Sequence, residues 1–382
     1  MTEPEYKTDV EYLYSALLKH PFLLIDENKK KYFEQLYLSK RNKRYDYESL
    51  IDTATELTMF FHDGHTNIEI PYTPKDRCLP LNCSWDEKEK NQLILMQQYD
   101  PIPQRAGIIG IEGVAIEHVV NLISNRIPHE NIFLVKSRMI RLPYSNYHIF
   151  SERNLKLLFG PKEEYTISFL IKGEKIEKKI PLSYYDGFLD FPDDQDFLSY
   201  EIQNQTMIMH FDSCILNEKY IETLKKLAYI CKEKQITTFI LDLSNNMGGN
   251  SAVIDQFIKF TKTDYYRRYE MIDFSSGEAN CMVSRQDFVK NDPEALCLPD
   301  QIYCKVSYNT FSSARTFAVT LRDNGIAKII GSQTGGKPNS YGMPKKMIMP
   351  ISGIRFRVSR CLFLRPDAAM DDAMTLEPDL AV

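Results

Sequence analysis

The second half of this 382-residue sequence predicts an α/β fold, a mostly parallel sheet covered by helices. Three observations predict it. Strand-like and helix-like segments alternate from about residue 206. The strand-like segments are near-continuous apolar runs, as strands buried on both faces are. Glycine-bearing turns punctuate the alternation.

Taken in order, a strand over 206–209 precedes a helix over about 217–233. A strand over 238–243, a glycine turn and a helix over about 251–260 follow. A strand over 302–306 then leads into a helix over about 312–323, and 327–330 is the next strand. Upstream the patterning differs. Residues from about 8 to 62 read as helical, with Val10, Leu13 and Leu17, and then Leu50, Ala54 and Leu57, at helical spacing. Pro21 separates the first helix from the next stretch. A strand is expected over 67–70. Between about 90 and 182 the pattern becomes short strands, at 93–96, 107–109, 165–170 and 175–177, with one helix over about 114–124. A run rich in Asp and Pro, 186–196, reads as a boundary. The expected domains are a helical N-terminal region over 1–75, a small β-rich insert over 85–185 and a core over 200–382.

Composition narrows the function classes. The hydrophobic fraction, 43%, can build a sizeable core. The net charge of -5, with acids and bases interspersed, argues against nucleic acid as a partner. The longest apolar runs, such as Phe22-Leu23-Leu24-Ile25, are too short to span a bilayer. The acidic start, Met1-Thr2-Glu3-Pro4-Glu5, carries no export leader, so a cytoplasmic location is expected. Eight scattered cysteines form no CxxC pair, so no zinc or other metal site is expected, and reduced, mostly buried thiols are.

Four segments can carry chemistry. The first, Asp242-Leu243-Ser244-Asn245-Asn246-Met247-Gly248-Gly249, ends a buried strand in a turn whose main-chain N–H groups can face a ligand. It reads equally as an ordinary strand-to-helix turn. The second, Asn309-Thr310-Phe311-Ser312-Ser313-Ala314-Arg315, places two serines at the start of a helix. N–H groups and the positive helix end can stabilise an oxyanion there. Ser is also a preferred N-cap, so a cap is the competing reading. The third, His62-Asp63-Gly64-His65-Thr66, is a tight turn that would aim His65, and histidine is the usual base for a serine nucleophile. The fourth, 331–338, is a glycine-rich loop. Pro338 stands where a phosphate-binding loop needs a hydroxyl residue, which excludes that reading.

Together and in this order, the segments resemble the tail-specific, or C-terminal-processing, family of serine peptidases. The strand ending D-L-R-N-N-x-G-G is similar to Asp242–Gly249. The nucleophile segment and the glycine-loop pattern that follows it resemble Ser312 through Lys337, with Asp323, Gly325, Gly331, Thr334 and Gly336 in register. Asp63–Thr66 is similar to the histidine-containing branch, and Glu377-Pro378-Asp379 to the family's terminal P-D. The resemblance covers 201–382 well, 1–70 fairly and the middle poorly.

The resemblance implies a crotonase-like (ClpP/crotonase-type) core with the helical N-terminal region on it, and a serine-type endopeptidase acting through an acyl-enzyme. The register back from Lys337 selects Ser312 over Ser313 as nucleophile. The N–H of Ser313 and that of Gly248 or Gly249 would form the oxyanion hole. His65 is favoured as base because a neutral imidazole needs little pKa adjustment, whereas Lys337, the alternative in a Ser–Lys dyad, would have to be desolvated. Asp372 matches the family's acid, with Asp371 adjacent and Asp367 a further choice. Ser244 replaces the usual Arg, and Arg315 stands where Glu is common. The middle region occupies the place of a PDZ-like domain, degenerate or replaced here. The implied partner is a polypeptide substrate, no cofactor is needed, and self-association stays open. A non-catalytic binding protein on the same fold is the competing class.

Overall fold

Apolar runs that alternate with amphipathic helices in the second half build a single six-stranded sheet. In spatial order its strands are Leu198–Gln203, Thr206–Phe211, Thr238–Asp242, Gln301–Val306, Lys328–Gly331 and Leu380–Ala381. The first two pair antiparallel across a tight turn, and every later pairing is parallel. The computed structural model describes residues 3–41, 43–71, 73, 75–86, 92–141, 147–184 and 197–381. The boundary expected over 186–196 lies outside them.

The chain divides into two compact units: residues 1–18, 28–191 and 346–358 form the first, and 19–27, 192–345 and 359–382 the second. In the second, the helices Glu218–Glu233, Val253–Ile258 and Ser313–Asp323 supply the apolar faces that bury the sheet. Phe239, Leu241, Phe257, Phe317 and Leu321 are fully buried in that core. The expected strands and helices over 206–331 are all present, within about two residues at each end. The same unit carries a four-stranded antiparallel sheet in the order Asn280–Val283, Glu270–Asp273, Cys361–Leu364 and Ser340–Gly342. The sequence reading contained no such sheet. Its strands are three or four residues long and partly exposed, too short to show an alternating pattern.

In the first unit the helix Tyr47–Met59 begins at a capping box. The Asp46 carboxylate accepts the Ser49 N–H at 2.8 Å, and the Ser49 hydroxyl accepts the Asp46 N–H at 2.8 Å. Its Leu50, Ile51, Ala54 and Leu57 are buried, as their spacing requires. The strand Asn67–Glu69 pairs antiparallel with Arg355–Val358, so the late segment 346–358 closes this unit. The middle region is an antiparallel sheet over Cys83–Asp86, Gln92–Leu95, Gly107–Ile111, Glu164–Ile171 and Glu174–Pro181. The expected helix is there as Ile116–Ser124. Two more helices, Ile132–Arg141 and Glu152–Phe159, stand beside the expected strands and helix. Among the described residues most strand pairings are antiparallel, so a mixed α/β architecture describes the chain, and the parallel strand pairings lie in the sheet that runs from Leu198–Gln203 to Leu380–Ala381.

All eight cysteines are free, and only Cys281 is well exposed. No helix among the described residues is long and apolar enough to cross a membrane.

One buried ion pair fixes the end of the Ser313–Asp323 helix. Arg365 is 1% exposed and Asp323 2%. The guanidinium donates to both Asp323 oxygens, at 3.0 and 2.5 Å, and the Asp367 N–H adds a third bond at 3.0 Å. Removing one partner strands the other charge in the core. Asp323→Asn is therefore expected to lower the unfolding free energy by about 3–5 kcal/mol, read from urea denaturation.

Candidate active site

Both glycine- and serine-bearing turns leave the same end of the parallel sheet, the carboxyl ends of neighbouring strands, where α/β sheets collect their ligand sites. Backbone and side-chain bonds sew the two turns together. The Ser307 hydroxyl donates to the Ser244 carbonyl at 2.5 Å, and the Thr310 hydroxyl to the Leu243 carbonyl at 2.8 Å. The Phe311 N–H donates to the Asn246 carbonyl at 3.0 Å. Asn246 itself is fully buried. Its amide donates to the Phe211 carbonyl at 2.7 Å, and its Oδ1 accepts the Gly248 N–H at 2.8 Å. In sequence Asn246 stands out only as the second Asn of the N-N-x-G-G string, with no role of its own.

Ser312 sits between the strand Gln301–Val306 and the helix Ser313–Asp323 with φ +52° and ψ -127°. A non-glycine residue rarely adopts that conformation, which stores about 1–3 kcal/mol of strain. Its side chain makes no capping bond to the helix, so the cap reading fails for this serine. A serine on a strained strand-to-helix turn is how a nucleophile is lifted out of the backbone toward substrate. Ser313 is engaged otherwise: its hydroxyl donates to the Gly249 carbonyl at 2.8 Å and so ties the two turns together.

Gly248 has φ +103°, and a Cβ there would lie 2.7 Å from the Ser312 Cβ and 2.8 Å from the Ser313 nitrogen. Gly249 has φ +140°, and its Cβ would lie 2.5 Å from the Cys214 carbonyl oxygen. Both positions therefore require glycine. Of the two, Gly248 already gives its N–H to Asn246. Gly249 is exposed, and its N–H donates to no described residue.

The strand leading into the turn is anchored by Asp242. Burial alone would push its carboxyl up. The Ser244 hydroxyl and N–H, at 2.5 and 2.9 Å, and the Lys305 ammonium at 3.0 Å outweigh burial and hold it below its ordinary value. Ser244 and Lys305 together thus satisfy this aspartate. Arg315, in the first turn of the helix after Ser312, is 1% exposed; its Nη2 donates to the Ser340 hydroxyl at 2.6 Å and its guanidinium lies over the Phe311 ring.

Lys337 is half-buried on the loop after Gly336 and makes no hydrogen bond or ion pair among the described residues. Thr334 fixes that loop to the C-terminal segment: its carbonyl accepts from the Thr375 hydroxyl at 3.0 Å and its hydroxyl from the Leu376 N–H at 3.2 Å. Asp372 is exposed and likewise makes no hydrogen bond among the described residues. Its neighbour Asp371 is held by Arg285, at 2.6 and 2.9 Å, and by Asn339 at 3.0 Å. Asp367 caps the short 3-10 helix Ala368–Met370.

His65 belongs to the other unit. The helix Tyr47–Met59 ends at Phe60, His62 turns the chain at φ +46°, and the strand Asn67–Glu69 resumes. Within the turn Asp63 is fully buried. Its Oδ1 accepts the His65 N–H at 2.9 Å and its Oδ2 the Thr66 hydroxyl at 2.7 Å. His65 Nδ1 lies 3.5 Å from Asp63 Oδ1 with its side chain 13% exposed. Buried Glu130 completes a group of three whose nitrogen and carboxylate oxygens lie within 4.8 Å of one another. Such a trio can orient a proton on the imidazole or accept a divalent cation. The sequence reading singled out neither acid as a partner of His65.

The profile of peptidase family S41 matches residues 208–382. Mature CPAF has a similar solved structure, with a TM-score of 0.73 at 13% identity over 99% of this chain and 92% of that one. The photosystem II D1 C-terminal processing protease has a TM-score of 0.52 at 10% identity, covering 99% and 93%. A peptidase structure from Parabacteroides merdae ATCC 43184 gives 0.50 at 13% identity, covering 99% and 90%. At these identities the structures establish the fold. No curated protein matches significantly. The S41 profile match, over residues 208–382, covers a little under half of the chain and assigns it to the serine peptidase class of hydrolases.

Proposed function

We propose that this chain hydrolyses polypeptides through an acyl-enzyme on Ser312. The observation that carries the assignment is the strained backbone of Ser312, which lifts its hydroxyl off the helix start and away from a capping role. His65 Nε2 takes the hydroxyl proton as Ser312 Oγ bonds to the scissile carbonyl carbon. The N–H groups of Ser313 and Gly249 hold the resulting oxyanion. His65 then gives the proton to the leaving amine as the C–N bond breaks, and water, deprotonated by the same imidazole, releases the acid and regenerates Ser312. Gly249 is preferred over Gly248 because the Gly248 N–H is already engaged by Asn246. The four parallel pairings of the six-stranded sheet support the crotonase-like reading of the core, and the antiparallel sheet with the Ile116–Ser124 helix supports a PDZ-like reading of the middle region.

Lys337 is the second candidate base. His65 is favoured because its ring stands 3.5 Å from the buried Asp63 carboxylate, whereas Lys337 makes no hydrogen bond or ion pair among the described residues. With a casein or quenched-peptide assay, His65→Ala is expected to lower kcat by about 10²–10⁴-fold, whereas Lys337→Ala acts chiefly through the loop and costs about tenfold or less. The opposite order of effects would transfer the base role to Lys337.

A further inference from the structure

Three candidates stand outside the relay already described: buried Arg315 behind the nucleophile, the exposed Tyr265–Phe288 surface of the second unit, and the pair of acids around His65. The third carries furthest. We propose that the acid that positions His65 is Asp63, in the same turn, assisted by Glu130, and not an acid of the C-terminal segment. This inference rests on the reading of His65 as the base.

The D-G-H-T turn holds Asp63 rigidly, through the His65 N–H on one carboxylate oxygen and the Thr66 hydroxyl on the other. The same Oδ1 that accepts the His65 N–H lies 3.5 Å from the imidazole Nδ1, a proximity just beyond a formed hydrogen bond, on a side chain with no solvent exposure. A carboxylate so fixed selects the tautomer with the proton on Nδ1 and leaves Nε2 to receive the serine proton. It also opposes the charge that appears on the ring when the proton arrives.

Glu130 comes from a different part of the unit, just before the helix Ile132–Arg141. Arg138 on that helix ties its loop to the turn, donating to the Pro128 carbonyl at 2.7 Å and to the Gly64 carbonyl at 2.5 Å. Asp63 and Glu130 thus reach His65 from two parts of this unit, with ligand atoms within 4.8 Å of one another. The C-terminal candidate offers no comparable arrangement: Asp372 is exposed and Asp371 is held by Arg285 and Asn339.

The test uses full-length Asp63→Asn and Glu130→Gln beside His65→Ala and Asp372→Asn, with peptide cleavage as readout and circular dichroism to confirm folding. Asp63→Asn is near-isosteric and still accepts the His65 N–H. It is expected to lower kcat at least 100-fold while KM changes less than about threefold, the split expected of a group acting on the relay and not on binding. Glu130→Gln is expected to lower kcat by about tenfold. Wild-type kcat in Asp63→Asn while His65→Ala is inactive overturns this inference and leaves the base assignment standing. Loss in Asp372→Asn without loss in Asp63→Asn does the same and places the acid in the C-terminal segment. Activity retained in His65→Ala overturns the base assignment itself. Loss of wild-type activity in EDTA, restored by zinc, would make the trio a cation site and also overturn the proposal; the expected result is no effect of EDTA.

Discussion

Replacing Ser312 by glycine is expected to abolish peptide cleavage and at the same time to stabilise the protein. Loss of the nucleophile removes the acyl-enzyme route, with a fall in kcat of about 10³-fold or more, whatever the stability does. The gain in stability comes from the backbone. At φ +52° and ψ -127° a serine carries strain that a glycine does not. Glycine loses more chain entropy on folding, about 0.5–1 kcal/mol, so part of the relief is offset. A net gain of about 1 kcal/mol remains, visible as a higher urea midpoint with an unchanged slope. Ser312→Ala keeps the strain and loses only the hydroxyl, so it should be equally inactive but no more stable than wild type. An inactive alanine variant beside an inactive but stabilised glycine variant is the signature of a strained nucleophile, since a surface or capping serine would show neither effect.

Gly248→Ala is expected to have the second large effect, and to damage both folding and activity. The new methyl would sit 2.7 Å from the Ser312 Cβ and 2.8 Å from the Ser313 nitrogen, and the backbone at φ +103° disfavours any L side chain. Ser312 cannot move away freely, because Phe311 is bonded to Asn246 and Ser313 to Gly249. Strain at a special backbone position combined with overpacking typically costs about 2–4 kcal/mol. The nucleophile turn is the part pushed aside, so whatever folds should have lost most of its kcat. Thermal unfolding and peptide cleavage measured on the same preparation check both halves of the expectation.

Much of the second unit was legible because its signals are local. The runs at 238–242 and 301–306 are apolar enough to read as buried strands, and the Phe317, Ala318 and Leu321 spacing marks the helix behind Ser312. The two glycines after Asn246 announced a tight approach, and the structure shows what approaches: the backbone around Ser312 and Cys214. The choice between cap and nucleophile was not legible, because both readings place serine at the same junction and differ only in φ, ψ and one hydrogen bond. The helices Ile132–Arg141 and Glu152–Phe159 were missed for a different reason. Ile132-Phe133-Leu134-Val135 is a continuous apolar run that strands and helices share, and the second helix spans only eight residues. Its Ser151 cap, which accepts the Asn154 N–H, was the available signal. The acids around His65 divide in the same way. Asp63 lies two residues from His65 and could have been weighed, whereas Glu130 is remote in sequence and comes from the segment that Arg138 ties to Gly64, a contact that itself spans 74 residues. No periodicity reports such a contact.

Active-site labelling with a fluorophosphonate, followed by peptide mass mapping, tests the central claim most directly. The account predicts one phosphonylated residue, Ser312, with labelling lost in Ser312→Ala and strongly slowed in His65→Ala. Label on Ser313 or elsewhere, or a wild-type protein that cleaves peptide but loses no activity when Ser312 is replaced by alanine, would contradict it.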